Sequence, residues 1–82
     1  MSGITFTSRT DAAYGRVRDS SASLPDGHFL SLGAAKNSDR VELGLSGEML
    51  QSWMVFTTAQ ARSVAAELLA CADAYDAAQR GD

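Results

Sequence analysis

The chain has one cysteine and one histidine among its 82 residues. A single cysteine, Cys71, excludes an intramolecular disulfide framework and suits a reducing cytoplasm. A single histidine, His28, excludes a histidine-rich metal site and leaves any Ser/His/Asp triad only one possible base. No apolar run approaches the roughly 20 residues that a membrane span needs. The opening Met1-Ser2-Gly3-Ile4-Thr5 has no basic segment followed by an apolar one, so no secretory signal is expected. Neither G-x-G-x-x-G nor a phosphate-binding loop occurs. These absences describe a small cytosolic protein with no visible catalytic motif.

Basic residues are also scarce. Seven Lys and Arg face ten Asp and Glu, for a net charge of −3 and a pI near 4.9. The imbalance lies in the second half. Through Arg40 the charges are Arg9, Arg16, Arg18, Lys36 and Arg40 against Asp11, Asp19, Asp26 and Asp39. Beyond it, Arg62 and Arg80 face Glu42, Glu48, Glu67, Asp73, Asp76 and Asp82. A field of this sign repels phosphate and argues against direct nucleic-acid binding. Arg16 and Arg18 are the one local basic pair, too small for a nucleic-acid footprint. An acidic surface suits a basic protein partner, including one whose groove normally holds nucleic acid. The simpler reading is solubility. Gly44-Leu45-Ser46-Gly47 matches a bare G-x-x-G but lacks the basic residues and helix pair of a KH domain.

The strongest structural signal spans residues 53–78. Trp53-Met54-Val55-Phe56 reads as a buried strand running into a capped helix. Thr57 and Gln60 fit a capping box. Ala61, Val64, Ala65, Leu68, Leu69, Ala72 and Tyr75 then recur at helical spacing, with Arg62, Ser63, Glu67, Asp73 and Asp76 mainly opposite. Gly81 is the natural stop. Cys71, mid-helix with no cation nearby, reads as a small core residue.

Upstream, Ile4-Thr5-Phe6-Thr7 predicts a first strand with Ile4 and Phe6 inward. Residues 8–13 read as a turn or loop, and 14–18 as a short second strand in which Tyr14 sets the face with Arg16 or Val17. Residues 19–27 read as a loop, ending in the turn sequence Leu24-Pro25-Asp26-Gly27. Residues 28–32 predict a third strand with Leu30 and Leu32 inward, and residues 34–39 a polar connection. Val41, Leu43 and Leu45 alternate with Glu42 and Gly44 in the cleanest strand pattern of the chain. The expected fold is α+β: one domain, an antiparallel meander of four or five strands with a long C-terminal helix on one face. Eighty-two residues bury roughly 60–65% of the unfolded surface.

Such a sheet leaves its other face open. Phe29, with either Trp53 and Val55 or Met54 and Phe56, is expected there as an apolar interface for a partner or a second copy. The candidate contacts are therefore the apolar set Phe29, Trp53 and Met54 and the acidic set Glu42, Glu48, Glu67, Asp73 and Asp76. Catalytic readings are weaker. Ser31 and Asp26 flank His28, but strand neighbours point to opposite faces and a triad needs convergence. Asp73 and Asp76 share a helix side without further ligands, and Asp76 can pair with Arg80 four residues on. No catalytic residue, metal or cofactor is expected.

The segment Val55-Phe56-Thr57-Thr58-Ala59-Gln60-Ala61-Arg62, with the alanine- and leucine-rich helix after it, resembles a strand-to-helix form of many small bacterial and phage proteins. In size, acidity and lack of catalytic apparatus the chain is similar in type to phage-encoded anti-CRISPR proteins. That resemblance implies a stoichiometric inhibitor that blocks a basic surface or subunit contact of a bacterial defence complex. The alternative is a structural homodimer joined through Trp53.

Overall fold

The computed structural model describes residues 3–10 and 15–81. Five strands, β1 (Thr7–Thr10), β2 (Arg16–Ser23), β3 (Phe29–Ala35), β4 (Val41–Ser46) and β5 (Gln51–Phe56), precede one helix, α1 (Thr58–Arg80). The sheet order is β1-β2-β3-β4-β5 with every pair antiparallel. This is the expected α+β meander, with the 23-residue helix packed against it.

Register assigns the two faces. Leu30 pairs with Leu45, Leu32 with Leu43 and Ala34 with Val41, and β5 adds Met54 and Phe56 to the same rows. Ala22 joins them opposite Leu30. Ala61, Val64, Ala65 and Leu68 of α1 lie over this side, enclosing with Leu32, Val41, Leu43 and Phe56 a cavity of about 150 Å³. Residues alternate across a strand, so Phe29, Ser31, Gly33, Glu42, Gly44, Trp53 and Val55 belong to the opposite, open face.

The ends of α1 follow local chemistry. Thr57 Oγ1 accepts from the Gln60 backbone N–H at 3.1 Å, and Gln60 Oε1 accepts from the Thr57 N–H at 2.9 Å. Gly81 closes the helix in the left-handed region, φ 79°, which a Cβ disfavours. The loop between β3 and β4 reaches the same helix start, where Asp39 Oδ1 accepts from the Thr58 N–H at 2.8 Å.

The N-terminal third differs from its expected pattern. The first strand is Thr7–Thr10, while Ile4 and Phe6 lie ahead of it and are exposed. Residues 19–23, expected to be loop, complete β2. Ladders on both sides decide their conformation, and tertiary pairing overrides serine's preference for turns. Arg9, paired with Asp19 in the β1–β2 ladder, donates to both of its carboxylate oxygens at 3.3 and 3.1 Å. A shift between Arg16 and Arg18 marks a bulge in β2. The expected role of Tyr14 lies outside the described residues. The 24–27 turn forms as expected: the Gly27 N–H donates to the Leu24 carbonyl at 3.3 Å, and Gly27 takes φ 87°.

Two other expectations are corrected. Residues 53–56 form a strand, but Trp53, Met54 and Val55 are exposed rather than buried. Cys71 is exposed on α1, not in a core. Trp53 and Val55 are exposed because they lie on the open face, away from the helix; Met54 and Cys71 are exposed on the helix side, where no residue of α1 is buried. Among the described residues the only buried apolar side chain is Ala22, 5% exposed.

Candidate functional site

The open face is built around two glycines in the middle of central strands. Gly33 and Gly44 are both buried. A Cβ at Gly44 would meet the Trp53 ring at 2.9 Å, and one at Gly33 would strike the Arg16 guanidinium. Only the absence of those side chains lets Trp53 and Arg16 lie close on the sheet. Glycine inside a strand commonly marks such a close approach.

Arg16 is held there by charge. Its Nη2 donates to Glu42 Oε1 at 2.7 Å, and Arg40 Nη2 donates to Glu42 Oε2 at 3.2 Å. Glu42 and Arg16 are both less than one-third exposed, so this pair is better shielded from water than most surface pairs. Beside the network Trp53 and Val55 stand about half exposed, as does Phe29 toward the other end of the same face. Ser31, Gly44, Ser46, Gln51 and Trp53 line a shallow cavity of about 180 Å³.

The two expected contact sets separate accordingly. Phe29 and Trp53 share the open face, as their pairings with Ser46 and Gly44 require, whereas Met54 pairs with Leu43 and faces the helix side. The acidic set is dispersed. Glu42 is engaged by two arginines. Glu48 sits in the exposed turn between β4 and β5. Glu67, Asp73 and Asp76 are exposed on α1. At about 100° per residue, Glu67 lies roughly 120° around the helix from Asp73 and roughly 180° from Asp76. They form no single patch.

His28 pairs through Nδ1 with Asp26 Oδ1 at 2.7 Å, and its ring packs over Gly47. That hydrogen bond to His28 holds the exposed Asp26 carboxyl below its ordinary range. Ser31 lies on the open face opposite Gly44, so the bond made by His28 is to the turn rather than to a nucleophile. Among the described residues no group of three or more His, Cys, Asp or Glu converges as a metal would require.

Gly44, inside the expected β4 pattern, was the readable signal for this site, whereas Gly33 lay beyond the expected end of the third strand at residue 32 and joins β3 only in the structure. The partnership of Arg16 with Glu42 spans 26 positions and depends on register, which periodicity does not supply. No protein-family model, curated protein or solved structure matches the chain. Among the described residues no helix is long and apolar enough to cross a membrane.

Proposed function

We propose that the protein is a non-catalytic protein-binding module that engages its partner through the open sheet face around Trp53. The observation that carries this reading is the seating of Trp53 on Gly44, which leaves an aromatic side chain 51% exposed on that face. Tryptophan and arginine are the residues most enriched at binding hot spots, and a polar rim around an aromatic centre is the usual interface anatomy. Here Phe29 and Val55 supply further apolar area. The Arg16–Glu42–Arg40 network supplies the rim. Its three charged groups are held in place before a partner arrives, so little side-chain entropy is lost on binding.

In its finer form the partner is a basic, nucleic-acid-handling complex of a bacterial defence system, and the module is its stoichiometric inhibitor. That form draws on small size and net charge of −3. The dispersed carboxylates favour long-range attraction over a contiguous acidic contact. The test is a tagged pull-down from nuclease-treated bacterial lysate with wild type and Trp53→Ala in parallel. A partner retained by wild type and lost with Trp53→Ala is expected. Equal retention by both removes the open face as the binding surface, and no retained protein removes the module reading.

A further inference from the structure

We infer that the helix side of the sheet is completed by a second copy of this chain, the distal half of each α1 covering the other's apolar sheet face. This stands apart from the partner reading, which uses the opposite face.

The first ground is area. A compact folded chain of 8.6 kDa exposes about 4,700 Å² by the usual scaling with mass. This chain exposes 6405 Å². Its radius of gyration is 14.9 Å, against about 12 Å for a compact domain of this length. Two copies that together reach the compact value bury about 5,000 Å² in total, within the span of obligate homodimers. The missing contact is therefore as large as a permanent subunit interface.

The second ground is where the excess lies. A 23-residue helix is about 34 Å long. Five strands at a spacing of about 4.8 Å span roughly 19 Å between the outer axes, and six residues of strand run roughly 20 Å. The helix outruns its own sheet by ten or more ångströms in those directions, as these dimensions imply. Its exposure changes along its length in step. Ala61, in the first turn, is partly covered and Val64 is 39% exposed, whereas Leu68, Leu69 and Tyr75 are 65–67% exposed. Ala61, Val64, Leu68, Ala72 and Tyr75 lie on one side of the helix, so the covered start and the bare end form one continuous stripe.

The third ground is complementarity within one sequence. The distal stripe lacks a sheet. The sheet lacks cover over its β2–β3 side, where Arg18, Ser20, Leu32, Ala34 and Val41 border an open groove of about 180 Å³. A two-fold exchange satisfies both deficits with one operation, because each copy presents the same two surfaces. No acidic residue falls within the stripe; Asp73 and Asp76 flank it. An unrelated protein would have to supply both a helix and a sheet of matching shape.

The oligomer is tested by sedimentation equilibrium on the purified full chain. Twice the 8.6 kDa chain mass is expected at micromolar concentration. A monomer mass with native circular dichroism up to hundreds of micromolar overturns the inference and gives the helix face to a different occupant. A trimer or tetramer mass overturns the two-fold form. Leu68→Asp is expected to dissociate the dimer, and Trp53→Ala to leave its mass unchanged; the reverse pattern moves the interface to the open face. Because Leu68→Asp can unfold a chain with so small a core, mixed-label nuclear Overhauser spectra of the wild type provide the second measurement. Contacts from the Tyr75 ring of one copy to Leu32 or Ala34 methyls of the other are expected, and intermolecular contacts confined to Phe29, Trp53 and Val55 overturn the assignment. Failure of the pull-down leaves the sedimentation mass unaltered, so the two readings fall separately.

Discussion

The two faces of this sheet are finished to different degrees. On the open face two large groups have a seat or a charge partner, Trp53 over Gly44 and Arg16 over Gly33 and against Glu42, while Phe29 and Val55 stand half exposed. On the helix side, leucine, valine and methionine stand in register across β3, β4 and β5, yet the helix above them buries none of its own residues. The first is a completed surface and the second is half of a core. Burial contributes about 25 cal/mol per Å² of apolar area, so the stability of the fold rests mainly on whatever completes that second side.

Predictions that break this comparison start with the helix stripe. Charge at Leu68 is expected to have the largest effect, removing the dimer and most of the cooperative melting transition. A dimer also requires a melting temperature that rises with protein concentration. A midpoint independent of concentration over a hundredfold range would mean that one chain alone supplies its core.

Next is the ion network of the open face. Glu42→Gln leaves Arg16 over Gly33 without its counter-charge and releases Arg40. Both Arg16 and Glu42 are partly shielded, so a loss of about 1 kcal/mol is expected, shrinking in high salt as screening grows. Urea denaturation at low and high salt measures it. A loss that is the same at both would mean packing rather than charge holds Arg16 in place.

Gly44→Ala sharpens the same face with a smaller change in stability. Alanine gains about 0.5–1 kcal/mol of backbone preference inside a strand, while its Cβ displaces the Trp53 ring. The half-exposed ring can swing outward, so the two effects nearly cancel. The position of Trp53 does change: its fluorescence is expected to shift to the red and its accessibility to acrylamide to rise. Unaltered emission would show that the ring does not depend on the glycine.

The same contrast governs how much was legible in the sequence. The capping box at Thr57 and Gln60, the stop at Gly81, the 24–27 turn and the alternation of β4 were readable because each is a local pattern with a local cause. Strand β2 was not. Its residues 19–23 are small and polar, and hydrogen bonds to β1 and β3 make them a strand. Burial was the larger miss. Ala61 to Tyr75 has the periodicity of a covered helix, and periodicity does not record whether the cover comes from the same chain. Of the candidate contacts, Phe29 and Trp53 share the open face, whereas Met54 went to the other face because adjacent strand residues must alternate. The carboxylates of α1 were counted as a set by charge, and helical geometry divides them.

The smallest effect concerns the joint between the two faces, where the loop after β3 meets the start of α1. Asp39 accepts from the Thr58 N–H, and that backbone hydrogen bond, with the nearby Arg62 charge, holds its carboxyl below the usual value of 3.8. A carboxyl with a lowered folded-state pKa binds fewer protons when folded than when unfolded. Its contribution is therefore present in full above the unfolded value and is lost as pH falls through the folded one. Asp39→Asn is expected to lower the melting temperature slightly at neutral pH, with the gap to wild type closing below about pH 4 as the wild-type carboxyl loses the charge that the variant never carries. Because Asp39 is exposed, the gap at neutral pH should also narrow in high salt. A gap unchanged between pH 7 and pH 3 would assign the contribution of Asp39 to the loop's shape and leave α1 oriented by its packing on β5 alone.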